Sequence, residues 1–301
     1  MLKSEFIIQT VLNALETLTS ENDLSPRNPV INKTLSHLVH TLASTYEYSE
    51  ETAALKDPRI RQARPHLLEK LSKAEAEMEK YWADYFGEKE TIGIEDLKEF
   101  WYWDNYEELV DRELDNFPKD ATDHSIAFIG SGALPLTAII MHLKTGCPVT
   151  CVDSDYDACE KSQALIDKLG LKDVHVLHAE GNAPRYNSFS TVIIASLIPQ
   201  DQKDEIVGKL KQDKSSVYVA VRSAERLHSL LYEPVNTEKQ FSELDYLGKT
   251  KQDSSVINTT LVFSNKSSVQ QEIGPQRTHR FESKQAEIRP LYLANRTPNI
   301  S

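Results

Sequence analysis

The chain has 301 residues, of which 40% are hydrophobic and 27% are charged, the balance of a globular protein with one large domain or two modest ones. Its 46 acidic residues outnumber its 34 lysines and arginines, and an acidic surface repels phosphate, so we expect no nucleic-acid partner. The N-terminal sequence lacks a signal-peptide pattern, and no segment approaches the ~20 apolar residues of a membrane helix. These features predict a soluble, cytoplasmic protein with no membrane partner.

The first part of the chain, residues 1–120, has the spacing of helices throughout. Apolar residues recur every three or four positions from Phe6 to Leu18 and again from Ile31 to Leu42. A longer helical pattern follows, but it contains Pro65, which lacks a backbone N–H and crowds the preceding turn. We therefore expect that helix to break or restart at Pro65.

Beyond this proline, one helical stripe is apolar except for a single acid, Glu75. Aromatic residues then crowd residues 100–106, where Asp104 or Asn105 is predicted to cap the next helix. We expect residues 1–120 to form an N-terminal helical domain. The other members of the stripe follow at intervals of three and four residues: Leu68, Leu71, Met78, Trp82 and Phe86.

Short apolar runs alternate with helical segments from Ser125 onward, which predicts a parallel sheet with right-handed crossovers. A further β-rich run, 256–263, is predicted to be an edge strand or one arm of a closing hairpin. We expect an α/β fold, with a Rossmann-type domain over residues 121–264 and a polar C-terminal tail over residues 265–301. The five predicted strands of the parallel part are 125–129, 148–152, 174–177, 191–195 and 217–221.

A glycine loop follows the first predicted strand. Gly130, Ser131 and Gly132 stand between strand and helix, where glycines permit a tight turn and close approach of a ligand to the backbone. Two glycines at this spacing are only weak evidence of a nucleotide-binding loop, since they also occur in strand-to-helix turns that bind no ligand. Asp153 strengthens it, because a carboxylate at the end of the second strand can accept hydrogen bonds from ribose hydroxyls.

The loop favours one nucleotide class over another. Pro135 stands where a dinucleotide-binding loop has its third glycine, which disfavours NAD and FAD and favours a ligand without phosphate, such as S-adenosylmethionine. Phe128 stands where ordinary methyltransferases usually carry an acid. After the third strand, Glu180, Gly181 and Asn182 are candidates for adenine contacts, or form a solvated loop.

Four motifs resemble those of nicotianamine synthases. The segment 128–137, which contains Leu134 as well as the glycines and Pro135, is similar to the family signature. The segment 104–109 resembles the aromatic-Asn-Tyr motif, 222–235 resembles the Arg-Ser-Ala and Tyr-Pro motifs, and 74–77 resembles the acidic helix motif. They occur in the family's order and span residues 65–263.

The resemblance implies a reaction as well as a fold. Members of this family use S-adenosylmethionine as the donor of its 3-amino-3-carboxypropyl (aminobutanoyl) group to an amine and release methylthioadenosine. Plant-type enzymes condense three donor units, whereas bacterial opine-metallophore enzymes place one unit on histidine. Ala133 replaces a proline common in plant members, so we favour the opine type, with histidine as acceptor and metallophore biosynthesis as the role. No metal is expected in the enzyme, and a homodimer is left open.

Three side chains are candidates for the chemistry. Glu75 is the candidate base for the amine, since burial would raise the pKa of its carboxyl toward neutrality; the alternative is a Glu paired with an Arg or Lys. Tyr106 would orient the amine or relay its proton, or is a core aromatic. Arg222 would bind a substrate carboxylate in bidentate fashion, or is a surface residue.

Other function classes are kept as alternatives. Nicotianamine synthesis from several donor units is the nearest, followed by a small-molecule methyltransferase and by a binding protein that does not turn its ligand over. His37 and His40 are three residues apart, and the three cysteines form no CxxC pair, so neither set predicts a metal site.

Overall fold

The computed structural model describes residues 2–251 and 256–265. Its N-terminal part is helical, as the periodicity predicts, and its apolar faces pack on one another. Asn28 caps the second helix by accepting a hydrogen bond from the Val30 N–H, and Pro29 occupies the first helical position. The helices of this part are α1 Lys3–Ser20, α2 Pro29–Ala43, α3 Tyr48–Lys56, α4 Pro58–Glu88 and α5 Trp103–Asn116.

The predicted break at Pro65 is wrong, because α4 continues through the proline for 31 residues. Buried side chains on both sides of it, such as Ile60 and Leu67, hold the segment in helical geometry through tertiary packing. The Arg64 guanidinium also donates to the backbone carbonyl of Ser229, which ties this turn to the rest of the molecule. The predicted cap of α5, Asp104 or Asn105, is two or three residues late, since Tyr102 occupies that position.

The rest of the chain forms a seven-stranded sheet in the order β3-β2-β1-β4-β5-β7-β6. The first five strands are parallel, and β7 runs antiparallel to β5 and β6. The predicted Rossmann-type α/β fold behind a helical region is therefore confirmed. The elements are β1 Ser125–Ile129, α6 Leu136–Thr145, β2 Val149–Asp153, α7 Tyr156–Leu169, β3 Val174–His178, β4 Phe189–Ile194, α8 Gln200–Gln212, β5 Tyr218–Ser223, β6 Asp245–Lys249 and β7 Thr259–Ser264.

The predicted run 256–263 becomes an arm of a closing hairpin rather than an edge strand, because β6 covers its outer side. The segment after β5 forms a 3₁₀ turn, Arg226–Leu230. The predicted tail lies outside the described residues except for Asn265. Within the described part of the chain, no helix is both long enough and apolar enough to cross a bilayer.

Candidate active site

A cavity of about 450 Å³ lies at the carboxyl ends of the parallel strands, within the size range of small-molecule sites. The central strands provide its floor, and α4 and α5 cover it from the helical part. A crevice at this edge, where the strand order reverses between β1 and β4, is where Rossmann-type sheets bind ligands. The helical part therefore closes the site from above.

The glycine loop turns sharply at the end of β1. Gly130 and Gly132 have φ angles of 76° and 68°, in the left-handed region that favours glycine. The Gly132 N–H donates to Oδ2 of Asp153 at 2.8 Å, while Oδ1 of the same carboxylate accepts from the Asp155 N–H at 2.9 Å. Asp153 thus joins the first two strand ends and lines the cavity; its contact with a ribose remains a prediction.

Glu75 projects from α4 into the cavity, as the acid in the apolar stripe suggested. Burial raises the pKa of its carboxyl to about 7, although a hydrogen bond from Tyr232 and the charge of Arg222 oppose the shift. A carboxyl with a pKa near neutrality can accept a proton from an amine and return it to solvent. Arg222, the cation whose charge acts on Glu75, is itself paired with Glu113, and the role of Glu75 as the base remains a prediction.

Glu79 is a second acid in the cavity, and the sequence interpretation missed it. It lies one turn beyond Glu75, so the i, i+4 spacing could have revealed it. Its carboxylate lies against the glycine loop, because a Cβ atom added to Gly132 would come within 1.8 Å of Oε2 of Glu79. Burial, followed by the nearby charges of Glu75 and Asp153, holds the pKa of Glu79 well above its usual value.

Two tyrosines of the α5 region line the cavity beside these acids. Tyr102 and Tyr106 pack edge to face, with ring centroids 5.7 Å apart. Burial, followed by the charges of Glu79 and Glu75, raises the pKa of Tyr106 well above its ordinary value, so its hydroxyl stays protonated and can donate. Its proposed role in orienting an amine remains a prediction.

Arg222 is buried rather than on the surface, with only 4% of the residue exposed. Its Nε and Nη2 donate to the two oxygens of Glu113 at 2.9 and 3.1 Å, and Thr260 Oγ1 donates to the same carboxylate at 2.7 Å. The guanidinium carbon lies 5.2 Å from the ring centre of Phe128. One edge of the guanidinium therefore binds Glu113, and a substrate carboxylate would have to use another edge.

The structure brings nearly all the other predicted site residues to the cavity. Pro135 is the exception: it precedes the first residue of α6 and is not part of the cavity wall. Asn182 donates to Glu205, another residue of the cavity wall, at 2.8 Å. The described residues contain no group of three His, Cys, Asp or Glu side chains that could hold a metal ion. The predicted residues at the wall are Glu75, Tyr106, Gly130, Ser131, Gly132, Leu134, Asp153, Glu180, Gly181, Asn182 and Arg222.

The cavity lining is acidic. Its basic side chains are already paired: Arg222 with Glu113, and Lys80 with Asp155 and Asp157 at 2.8 and 2.9 Å. The site therefore favours a cationic ligand over an anionic one. The acids that line it are Glu75, Glu79, Asp153, Asp155, Glu180 and Glu205.

These features define an α/β protein with a ligand cavity at a Rossmann-type switch point, closed by a helical region. The chain belongs to the nicotianamine synthase family, because the family model described as nicotianamine synthase protein matches residues 2–271. It is 27% identical to nicotianamine synthase from Solanum lycopersicum over 85% of this chain and 82% of the relative. With nicotianamine synthase 2 from Arabidopsis thaliana, the identity is 22% over 86% of this chain and 84% of the relative.

Solved structures support the fold. A glutamate-to-glutamine mutant of MtNAS superposes with a TM-score of 0.74 at 19% identity, covering 89% of this chain and 99% of the other. A complex of such a mutant with S-adenosylmethionine gives 0.70 at 19% identity, over 86% and 98% of the two chains. MtNAS in complex with MTA and tNA also gives 0.70, at 22% identity, over 86% and 97%.

Proposed function

We propose that this protein binds S-adenosylmethionine in the cavity and transfers its aminobutanoyl group to an amine. One observation carries the proposal: a carboxyl with a pKa of about 7, Glu75, faces an acidic cavity at the glycine loop of a nicotianamine synthase-family chain. The negative charge suits a sulfonium donor. Membership of the family supports S-adenosylmethionine as that donor.

The transfer forms one bond and breaks one bond. The neutral amine nitrogen attacks the sulfonium-bound carbon of the aminobutanoyl chain, and the bond electrons of that C–S bond return to sulfur. Methylthioadenosine leaves as a neutral thioether. The product keeps the new nitrogen as an ammonium, because a base has already removed the proton of the acceptor ammonium to give the neutral amine that attacks. We assign Glu75 as the base, Tyr106 as a hydroxyl donor that orients the amine, and Arg222 as a partner for a substrate carboxylate.

The acceptor proposed from the sequence, histidine, receives less support than its alternative. The curated relatives described above are nicotianamine synthases, and the match covers most of their length. We therefore propose that the acceptor amine comes from further donor units, so that several aminobutanoyl groups are joined. Histidine transfer, as in opine-metallophore synthesis, is the competing outcome of the test.

A product assay separates these outcomes. Purified protein is incubated with S-adenosylmethionine alone, or with L- or D-histidine, and the products are identified by mass spectrometry. Methylthioadenosine with nicotianamine, formed without added amino acid, is expected. A histidine adduct carrying one aminobutanoyl group would move the enzyme to the opine type. S-adenosylhomocysteine would instead mean methyl transfer, and absence of turnover with retained donor binding would make the protein a binding module.

A further inference from the structure

Tyr186 is a completely buried tyrosine that the sequence interpretation did not single out. Its hydroxyl donates to the backbone carbonyl of Gly181 at 2.6 Å. Gly181 belongs to the turn 180–183, which follows β3 and contributes residues 180–182 to the cavity wall. We propose that Tyr186 is a positioning residue, which holds this turn in the geometry that binds the base of the donor. The inference rests on the proposed function, because that base is the adenine of S-adenosylmethionine.

The turn carries hydrogen-bonding groups that are available to a ligand. The Ala183 N–H closes it by donating to the Glu180 carbonyl at 2.9 Å. Within the part of the chain that the structure describes, the N–H groups of Gly181 and Asn182 and the carboxyl of Glu180 have no hydrogen-bond partner. Donors beside a carboxylate complement the edge of adenine, which presents a ring nitrogen and an amino group. Hypoxanthine reverses that pattern, because it presents an N–H and a carbonyl.

Tyr186 reaches the turn from the hydrophobic core. Its ring packs against Phe189, with ring centroids 5.8 Å apart, in the cluster that also contains Ile129. Burial raises the pKa of the Tyr186 hydroxyl, which therefore remains a donor near neutral pH. In a trans peptide the C=O and the following N–H point in opposite directions. By holding the Gly181 carbonyl, the hydroxyl thus directs the Asn182 N–H away from the core.

Gly181 fits closely into this arrangement. A Cβ atom added to it would lie 2.7 Å from Cγ2 of Ile129 and 2.8 Å from Cδ1 of Ile206. The backbone of the turn therefore lies directly on these two side chains, and a larger residue would displace it. The Ala179 N–H also donates to the Asp153 carbonyl at 2.9 Å, so the turn is held at a fixed distance from the candidate ribose-binding acid.

Tyr186→Phe tests the proposal, because it removes the hydroxyl and keeps the ring. Tyr218→Phe is the matched control: Tyr218 is also buried, its hydroxyl donates to Asp120 at 2.7 Å, and it is not part of the cavity wall. Calorimetric titration measures the binding of methylthioadenosine and of methylthioinosine, and initial rates give kcat and KM for S-adenosylmethionine. Far-UV circular dichroism checks that each variant is folded.

We expect the Kd of methylthioadenosine to rise about 5- to 10-fold in Tyr186→Phe, the effect of one lost hydrogen bond. The weaker binding of methylthioinosine should change little, so the preference for adenine falls. KM for S-adenosylmethionine should rise by the same factor, while kcat falls by less than about twofold, because ground-state binding loses the interaction. Tyr218→Phe should retain the wild-type affinities. A Tyr186→Phe protein with the affinities and base preference of Tyr218→Phe would overturn the inference.

Gly181→Ala is the second variant, and it decides the question if Tyr186→Phe does not fold. The added methyl group displaces the turn from Ile129 and Ile206, so it should lower the preference for adenine in the same way. An unchanged preference in a folded Gly181→Ala protein would contradict the proposal, because the position of the turn would then not matter for the base.

The outcomes also separate this inference from the proposed function. If Tyr186→Phe weakens methylthioadenosine binding as expected, but the wild-type protein does not consume S-adenosylmethionine, the positioning role stands and the transferase is rejected. If the wild-type protein turns the donor over and Tyr186→Phe behaves as the control does, the transferase stands and the positioning role is rejected. A wild-type protein that binds no adenine nucleoside would reject both.

Discussion

Glu75 owes its chemistry to the residues around it. The carboxyl is desolvated by the cavity wall, yet the Tyr232 hydroxyl and the Arg222 charge stabilise its ionised form, so that its pKa stays at about 7. A fully apolar pocket would raise the pKa further, and the group would remain protonated at neutral pH. The balance keeps a usable fraction of the carboxyl ionised.

A pH profile tests this role. Since the ionised carboxyl accepts the proton, kcat/KM of the wild-type protein should rise with pH and level off above about 7. Glu75→Gln should lower kcat by about 100- to 10,000-fold and remove that inflection while donor affinity is retained. Steady-state rates between pH 5.5 and 9 provide the measurement. An unchanged profile in Glu75→Gln would reject Glu75 as the base.

The Arg222–Glu113 pair makes a prediction about stability. Glu113 is completely buried, and Glu113→Gln would leave the guanidinium charge without its partner. We expect the free energy of unfolding to fall by about 3–5 kcal/mol, as when one partner of a buried pair is removed. Thr260→Val, which removes a single hydrogen bond to the same carboxylate, should cost about 1 kcal/mol.

Urea denaturation measures both variants. Replacing both partners, with Glu113→Gln and Arg222→Met together, should recover part of the loss because no buried charge remains. A loss smaller than about 1 kcal/mol in Glu113→Gln would mean that water or another group neutralises Arg222.

At this scale, the sequence identifies residues whose role is local. Gly132 lies just after the first predicted strand and Asp153 at the end of the second, so both positions can be recognised from the sequence. The structure joins the two residues by one hydrogen bond. Partners distant in sequence are not visible in this way. Glu113 precedes Arg222 by 109 positions, and its helix pattern gives no sign of the pairing. Glu79 could be placed on the cavity face, but not in contact with the glycine loop.

Helix α4 carries the two acids Glu75 and Glu79 that face the cavity. The helix is continuous although it contains a proline, Pro65. Pro65 cannot donate a backbone hydrogen bond to the carbonyl four residues earlier. Buried neighbours and the tie from Arg64 to Ser229 compensate for that loss. Local propensity therefore predicts a break that tertiary packing overrides, whereas the apolar period of α4 is predicted correctly.

Replacement of this proline should stabilise the protein. Pro65→Ala restores the missing N–H and relieves the clash, with an expected gain of about 1–3 kcal/mol in the free energy of unfolding. Pro58→Ala is the matched control, because a proline at the first helical position is favourable and its loss should give no gain. Thermal and urea denaturation would measure both. Destabilisation by Pro65→Ala would show that α4 needs the geometry that proline imposes.

On the scale of the whole molecule, the helical part shares a hydrophobic core with one face of the sheet, while the other face packs against α8 in a separate cluster. Buried residues from Ile7 in α1 to Ile257 before β7 form a continuous cluster, which includes Met78 of α4 and Phe128 of β1. The sequence predicted two domains divided near residue 120, because the pattern changes there from helices to alternating strands and helices. The spacing of apolar residues predicts where the secondary structure changes. It does not predict whether the apolar faces of the helical part pack against those of the sheet.

The shared core predicts that the two parts unfold together. All three tryptophans, Trp82, Trp101 and Trp103, lie in the helical part, so their fluorescence follows that part alone. Far-UV circular dichroism follows the helices and strands of the whole chain. We expect the two signals to change at the same urea concentration, with a single transition, because unfolding either part would expose the apolar surface of the other.

The same coupling explains how the site is built, since the cavity exists only where α4 and α5 lie over the strand ends. If the fluorescence transition preceded the circular dichroism transition, the helical part would be an independent unit that can leave the sheet. Donor binding should then shift only the first transition toward higher urea. The site needs both parts, so the ligand is already released once the helical part has unfolded, and it cannot stabilise the sheet afterwards. With one cooperative unit, saturating S-adenosylmethionine should shift both signals by the same amount.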